Sequence, residues 1–196
     1  MTIIIGLLGP AGAGKSTVAG HLERKYGAKR YSLAGPLKEI AKRTLEFSDE
    51  QLYGTQEQKE AVDPRYGFSC RFFLQRLGTE GCRAVLGEDV WTQACLDKIY
   101  RDKPELAIVE DVRFMNEANL LLTDAAYVWR LHPPVDPTAD VRAAAAGAHA
   151  SEAQWRDAPA SHEIAPCVRG IEILLALADD VARDCRLIPL RRDLPQ

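Results

Sequence analysis

The sequence predicts an α/β fold in which helices cover both faces of a doubly wound, mostly parallel sheet. Apolar runs of strand length without polar alternation, such as "TIIIGLLG" near the start, are typical of strands buried on both faces. Segments with the apolar spacing of helices separate these runs. Strands that alternate with helices along a chain favour a parallel sheet.

The length and composition of the chain favour one domain over residues 1–196. Of the 196 residues, 46% are hydrophobic and 27% charged, which is enough for one core and short for two. The formal net charge is -3, so the chain lacks the basic excess typical of proteins that bind a nucleic-acid duplex. We therefore expect small-molecule substrates and no nucleic-acid partner.

The cysteines and the N-terminus predict a soluble cytoplasmic protein. The sequence has neither a C-x-x-C pair nor a cluster of histidines with cysteines, so no zinc site is expected. An odd, scattered set of thiols fits a reducing cytosol better than a disulfide framework. The N-terminal apolar run, "IIIGLL", follows no basic segment and is too short for a signal peptide or a membrane span. The cysteines are Cys70, Cys82, Cys95, Cys167 and Cys185.

The first strand and helix have clear bounds. Residues 2–9 predict the central buried strand. Val18, Leu22 and Tyr26 follow helical spacing, and Gly27 marks the end of that helix.

The next segments predict a region rich in helices, and residues 33–88 are a candidate acceptor-binding region. Residues 29–36 indicate a short second strand that enters a turn, and residues 37–47 form an amphipathic helix. Residues 48–67 are polar and indicate a surface excursion that could include a helical turn. Residues 69–87 predict two helical pieces that meet at a glycine, Gly78.

The second half returns to strands alternating with helices. Residues 89–102 predict a helix with Asp89 as its N-cap. A buried strand over residues 105–111 follows, then a helix over residues 116–125 and a third buried strand over residues 126–131.

The C-terminal third has a different composition. Residues 132–152 carry three prolines and an alanine run, which favour a mobile lid (residues 132–150) and a plain surface loop about equally. Residues 162–166 predict an edge strand and residues 170–185 a closing helix. The remaining tail indicates a poorly ordered end or a dimer contact.

The segment G-P-A-G-A-G-K-S, residues 9–16, is a complete Walker A pattern between a predicted strand and a predicted helix. Glycines let several backbone N–H groups face one anion, and the helix N-terminus adds its dipole. Lys15 can reach the β- and γ-phosphates, and the Ser16 hydroxyl can bind Mg²⁺. The alternative is a glycine turn without a ligand. The residues predicted to hold ATP are Gly12, Ala13, Gly14, Lys15, Ser16 and Thr17.

The phosphate loop alone allows several classes of nucleotide-binding protein. The N-K-x-D pattern of GTPases and the signature of ABC ATPases are both missing from the sequence, and a helicase would need a longer chain. A short chain with one loop, several arginines and a lid-like segment points to a small-molecule kinase. Such an enzyme must bind a second, anionic substrate and exclude water from the reaction.

Cationic residues that could bind the acceptor lie in the helical region: Lys38, Lys42, Arg71, Arg76 and Arg83. The alternative for each is a solvated surface position. That alternative is favoured for Lys42 and Arg76, whereas for Arg71, beside two phenylalanines, the two interpretations are about even.

A second chemical signal is the end of the buried strand "LAIVED" and the residues after it. Strand carboxyl ends line the ligand crevice of α/β sheets. Asp111 could hold Mg²⁺ through water or contact the acceptor, and Arg113 could pair with an anion. The alternative is local: Asp111 caps a helix and Arg113 pairs with Glu117.

The aromatic and histidine residues give little evidence about the functional site when each is considered alone. Trp91 could stack on a base, although a lone tryptophan more often fills a core. Phosphoryl transfer to a phosphate oxygen needs little base catalysis, so neither His149 nor His162 is assigned a chemical role.

Five motifs occur in an order that resembles the bacteriophage deoxynucleoside monophosphate kinases, from about residue 4 to residue 155. They are "GPAGAGKST", "YSLAGPLKEIAKRTL", "FFLQRLGTEGCRAVLGEDVW", "VEDVRFMNEA" and "HASE". The resemblance implies a P-loop fold of the nucleoside monophosphate kinase type with a lid. It also implies the reaction ATP + dNMP → ADP + dNDP with Mg²⁺, and a possible homodimer.

The resemblance also implies roles for individual residues. The acceptor phosphate would be held by Lys38 and Arg71. The nucleoside pocket would be lined by Gly78, Thr79 and Trp91. Near the base or sugar would lie Asp111, Arg113 and Glu117. The implied catalytic residues are Lys15, Asp111, Arg113 and Arg130.

The sequence departs from the family pattern in its last third. The lid region offers only Arg130 and Arg142, with His132 where a second strand-end arginine is expected. Pro166 stands in a turn before the last helix where the family often places an asparagine. Two alternatives stay open: another small-molecule kinase, such as one for dephospho-coenzyme A or shikimate, and a regulatory nucleotide-binding switch.

Overall fold

The computed structural model describes residues 2–10, 12–133, 154–165 and 170–187. The chain divides into two compact units: Met1–Ser32 with Cys95–Gln196, and Leu33–Ala94. That residues 1–196 act as one kinase domain stays a prediction. Most of the predicted lid and the C-terminal tail lie outside the described residues, as do Arg142, His149, Pro166 and Cys167.

The strands follow the predicted order, with an added pair in the second unit. In chain order they are β1 (Ile3–Leu8), β2 (Lys29–Tyr31), β3 (Val62–Asp63), β4 (Phe68–Ser69), β5 (Leu106–Val112), β6 (Tyr127–Leu131) and β7 (His162–Ile164).

The α-helices of the described chain are, in order, α1 (Lys15–Tyr26), α2 (Gly35–Leu45), α3 (Asp49–Tyr53), α4 (Gln56–Glu60), α5 (Cys70–Gln75), α6 (Ala84–Leu86), α7 (Val90–Asp102), α8 (Met115–Thr123) and α9 (Ile171–Asp184). A π-helix spans Arg76–Arg83 between α5 and α6, and a 3₁₀ turn spans Gln154–Arg156. Within the described chain, no helix is long and apolar enough to span a membrane.

The first unit is built on a five-stranded sheet in the order β2-β5-β1-β6-β7, and every neighbouring pair is parallel. The central strand β1 buries Ile5 and Leu7 among side chains of α1 and α9. Its Gly6 faces the opposite side, where an added Cβ would lie 2.8 Å from Leu121 of α8. Helices therefore cover both faces, and the predicted fold class and the edge position of β7 are confirmed.

Residues 48–67 are mostly exposed, as the predicted surface excursion requires, and they hold more regular structure than the single helical turn that the sequence analysis allowed. Two short helices lie there, and each begins with a capping box in which Ser48 or Thr55 bonds the backbone of a glutamine three residues later. The side chain of that glutamine bonds back to the cap residue. The antiparallel pair β3–β4 then completes the segment. Local capping thus orders a stretch that has few aliphatic residues.

The expectation that two helical pieces meet at Gly78 is wrong. Gly78 lies inside the π-helix, which continues directly from α5 into α6. The Ala84 N–H donates to the Thr79 carbonyl, five residues earlier, as π-helical geometry requires. A Cβ on Gly78 would lie 2.9 Å from Cδ1 of Leu37. The glycine therefore allows close packing against α2 and does not interrupt the helix.

Candidate active site

The phosphate loop joins β1 to α1 and depends on its glycines. Gly12 and Gly14 have φ values of 79° and 86°, a region that other residues enter only with strain. A Cβ on Gly9 would lie 2.5 Å from the backbone oxygen of Leu131, and one on Gly14 would lie 2.5 Å from the Leu174 side chain. The loop is thus packed directly against the end of β6 and against α9.

Lys15 and Ser16 begin α1 and face different surroundings. The Lys15 side chain is only 8% exposed, and its ammonium donates to the carbonyls of Gly9 and Pro10 at 2.5 and 2.6 Å. Ser16 is exposed, and Thr17 is half-buried in the same turn. The first N–H groups of a helix lack intrahelical acceptors, so this end can receive an anion.

A half-buried carboxylate that the sequence analysis did not identify holds α1 in place. Asp179 of α9 accepts hydrogen bonds from His21 Nε2 and Lys25 Nζ at 2.8 Å each and from the Tyr26 hydroxyl at 3.0 Å. Burial opposes ionisation of Asp179, but these bonds outweigh it, so the pKa of Asp179 lies below its ordinary value. Burial, and then the bond to Asp179, raise the pKa of Tyr26 to about 12.

Asp111 lies near the end of β5 and is oriented by a serine from the neighbouring strand. Ser32 follows β2, and its hydroxyl donates to Asp111 Oδ2 at 2.6 Å. The alternative that Asp111 caps the next helix is wrong, because α8 begins at Met115 and Phe114 occupies its N-cap position. Glu110, beside Asp111, accepts a hydrogen bond from Arg30 Nε at 3.1 Å.

Glu117 closes the turn between β5 and α8. Its carboxylate is 2% exposed and accepts from the backbone N–H groups of Arg113 at 2.8 Å and Phe114 at 3.0 Å. This satisfies two N–H donors at the start of the helix. Glu117 therefore fixes the backbone that carries Arg113. A contact of either side chain with the nucleoside stays a prediction.

Arg130 projects from β6 and is held by the edge strand. It donates to Glu163 of β7 at 2.8 Å and to the carbonyl of Ala158. His132 Nε2 lies 2.7 Å from the other oxygen of the Glu163 carboxylate. Glu163, which the sequence analysis also did not identify, thus connects the two predicted lid-side residues.

In the second unit the predicted acceptor-phosphate residues are partly exposed and have weak partners. The Lys38 ammonium lies 4.5 Å from the centre of the Tyr53 ring, a cation–π contact. Arg71, on the first turn of α5, lies 3.7 Å from the Glu60 carboxylate. Both side chains are half-buried, and their role in binding the acceptor phosphate stays a prediction.

The second unit also brings together the three residues predicted to line the nucleoside pocket. Gly78 and Thr79 are consecutive in the π-helix, and the Trp91 indole Nε1 donates to the Gly78 carbonyl at 3.1 Å. By contrast, Lys42 and Arg76 form exposed ion pairs with neighbouring carboxylates, as the surface interpretation expects.

A phosphate-binding loop after the central strand of a parallel sheet defines a P-loop fold. Comparison with known proteins then shows which family of that fold the chain belongs to. The chain is 35% identical to a protein of Acanthamoeba polyphaga mimivirus named as a deoxynucleotide monophosphate kinase, over 67% of this chain and 75% of that protein. The chain belongs to the deoxynucleoside monophosphate kinase family, which confirms the resemblance seen in its motifs.

Two further comparisons add a second named relative and a solved structure with the same fold. The deoxynucleoside-5′-monophosphate kinase of Escherichia phage T5 is 28% identical, over 62% of this chain and 72% of that protein. The crystal structure of TT1252 from Thermus thermophilus has the same fold, with a TM-score of 0.50 at 19% identity, over 93% of this chain and 97% of that one. No protein-family model matches the chain.

Proposed function

We propose that this protein transfers the γ-phosphoryl group of ATP to a deoxynucleoside 5′-monophosphate. An oxygen of the acceptor phosphate forms the new bond to the γ-phosphorus, the bond to the bridging β-oxygen breaks, and ADP leaves. The observation that carries the proposal is the packed loop of residues 9–16, with left-handed glycines and a buried Lys15, in a chain of this kinase family.

The backbone N–H groups of residues 12–17 hold the phosphates of ATP at the N-terminus of α1. Lys15 is oriented along the loop by two carbonyl acceptors, Gly9 and Pro10. A triphosphate gives its ammonium an anionic partner, which forms stronger hydrogen bonds than a carbonyl does. Lys15 then stabilises charge on the transferring group as ADP leaves.

The residues at the loop fit a Mg²⁺ ion held mainly by the nucleotide. Ser16 places an exposed hydroxyl on the first turn of α1. Among the described residues there is no cluster of three histidine, cysteine or acidic side chains suited to a metal. We assign Ser16 as the direct protein ligand and Asp111, oriented by Ser32, as a ligand through water. Bound Mg²⁺ would supply positive charge to the phosphates.

Lys38 and Arg71 hold the acceptor phosphate. The partner of Arg71 is an exposed carboxylate at 3.7 Å, which is a weak contact in water. A phosphate offers the guanidinium a bidentate partner instead. Gly78, Thr79 and Trp91 line the nucleoside pocket in this proposal, which the hydrogen bond between Trp91 and Gly78 supports by keeping the three residues close to one another.

Residues of the first unit, near the ends of β5 and β6 and in the turn after β5, have further proposed roles. Asp111, Arg113 and Glu117 lie near the base or sugar, with Glu117 fixing the backbone of Arg113. Arg130, oriented by Glu163, balances the charge that develops during transfer. The proposed assembly is a homodimer in the host cytoplasm, and light scattering of the purified protein tests the first part.

The direct test is ADP release from Mg-ATP with a panel of acceptors. We expect strong stimulation by one or two of dGMP, dTMP, dCMP and dAMP and weaker stimulation by their ribose counterparts. Shikimate and dephospho-coenzyme A in the same panel represent the other small-molecule kinases. Stimulation by either of these alone, or ATP binding with no acceptor-dependent turnover, would contradict the proposal.

A further inference from the structure

The Trp91 indole makes a hydrogen bond whose acceptor lies in the π-helix. Trp91 is half-buried on the first turn of α7, and its Nε1 donates to the carbonyl of the buried Gly78 at 3.1 Å. The bond joins positions 13 residues apart in the chain. It therefore connects two helical segments of the second unit through one backbone carbonyl.

The position of Gly78 affects two neighbouring parts of the proposed acceptor site. Thr79 is the next residue in the π-helix. Gly78 also packs so closely on Leu37 that a Cβ would lie 2.9 Å from Cδ1 of that side chain. Leu37 directly precedes Lys38 on α2. A shift of the Gly78 carbonyl would therefore move Thr79 and disturb the packing of the turn of α2 that carries Leu37 and Lys38.

A π-helix needs such support more than an α-helix does. Its backbone geometry is less favourable, and π segments are usually short and found at functional sites. Here the segment spans Arg76–Arg83, and Arg76 and Glu80, an ion pair within it, are both exposed. A hydrogen bond from outside the segment is a specific way to keep this geometry.

We infer that Trp91 is a positioning residue for the acceptor site, acting through its indole N–H on the Gly78 carbonyl and not through stacking of its ring on the base. This rests on the proposed acceptor role of the second unit. A phenylalanine at position 91 distinguishes hydrogen bonding from stacking. Its ring can still stack on a base, but it has no N–H to donate to the Gly78 carbonyl.

The experiment compares wild type with Trp91→Phe, Trp91→Ala and a protein carrying 3-benzothienylalanine at position 91. The last side chain keeps the shape of indole and lacks the N–H, so it tests the bond even if Trp91→Ala fails to fold. We expect all three to raise the acceptor KM by a similar factor, about three- to tenfold, with the ATP KM unchanged. A wild-type acceptor KM for Trp91→Phe, or an equal rise in both KM values, would overturn the inference.

A second measurement does not depend on catalysis. Amide hydrogen exchange of the peptide covering residues 76–84 should quicken in Trp91→Phe and in the benzothienyl protein, and exchange in residues 106–112 should not. Trp155→Phe, in the first unit, is the matched control and should leave residues 76–84 unchanged. Unchanged exchange in the Trp91 variants would refute the positioning role, whereas faster exchange in a protein that uses no dNMP would refute only the proposed function.

Discussion

The phosphate loop of the first unit and the acceptor-side residues of the second are held in different ways. At the loop, Gly9 lies against a backbone oxygen of Leu131, Gly14 lies against Leu174, and α1 is fixed to α9 by Asp179. Lys38 and Arg71 are half-buried and have weak partners. Under the proposed function, the first region is preformed for the triphosphate of ATP, and the second exchanges its weak partners for the acceptor phosphate.

The largest expected effect is at the loop. Lys15→Ala removes the only ammonium buried in the described loop, and we expect kcat/KM to fall by about a hundredfold or more. Lys42→Ala is the matched control, because Lys42 forms an exposed ion pair with Asp49 and should leave kinetics unchanged. Near-normal turnover of Lys15→Ala in a coupled ADP assay would contradict the assignment of the loop.

Arg71→Ala should have a smaller and more selective effect. A hydrogen bond to a charged group is worth about 1.5–3 kcal/mol, so we expect the acceptor KM to rise roughly tenfold or more, with the ATP KM unchanged. Arg76→Ala provides the comparison, because Arg76 pairs with Glu80 on the surface. If Arg71→Ala and Arg76→Ala behave alike in initial-rate kinetics, Arg71 belongs to the solvated surface.

Alanine substitutions at two glycines of the loop distinguish the cost of a steric clash from the cost of backbone strain. Gly12→Ala meets no atom within 4 Å and should cost only left-handed strain, about 1–2 kcal/mol of unfolding free energy. Gly9→Ala adds a clash with the Leu131 oxygen and should cost about 2–4 kcal/mol. Denaturant unfolding measures both. Equal losses would show that the loop is not packed against β6 as described.

The smallest expected effect concerns the bonds between α1 and α9. Asp179→Asn should lower the unfolding free energy by about 1–2 kcal/mol at neutral pH. Because the pKa of Asp179 is lowered by folding, its contribution is complete above the ordinary aspartate pKa and is lost as the pH falls through the lowered value. The difference between wild type and Asp179→Asn should therefore shrink in acid. A pH-independent difference in denaturation experiments would argue against the charged bonds.

The parts of the site that the sequence predicted are local ones. The phosphate loop depends on residues 9–16 and on the strand and helix beside them, so its pattern can be read directly. Contacts between distant residues could not be found this way. Ser32 meets Asp111 only because β2 pairs with β5, 79 residues along the chain, and Asp179 meets His21 across 158 residues.

Gly78 shows why a local signal can also mislead. A glycine inside a helical pattern makes a continuous helix less favourable, and on that ground two pieces were predicted. In the structure the missing Cβ allows contact with Leu37, which lies 41 positions earlier in the chain. The capping boxes at Ser48 and Thr55 were visible in the sequence, but the low aliphatic content there indicated no more than a surface excursion with a possible helical turn.

The most direct test of the difference between the two units is calorimetric titration of ATP and of the preferred dNMP into wild type and a Lys38→Ala/Arg71→Ala double variant. If the second unit serves the acceptor alone, the double variant binds ATP with the wild-type Kd and binds dNMP at least about tenfold more weakly. Equal losses of ATP and dNMP affinity, or wild-type affinity for dNMP, would contradict that division of function.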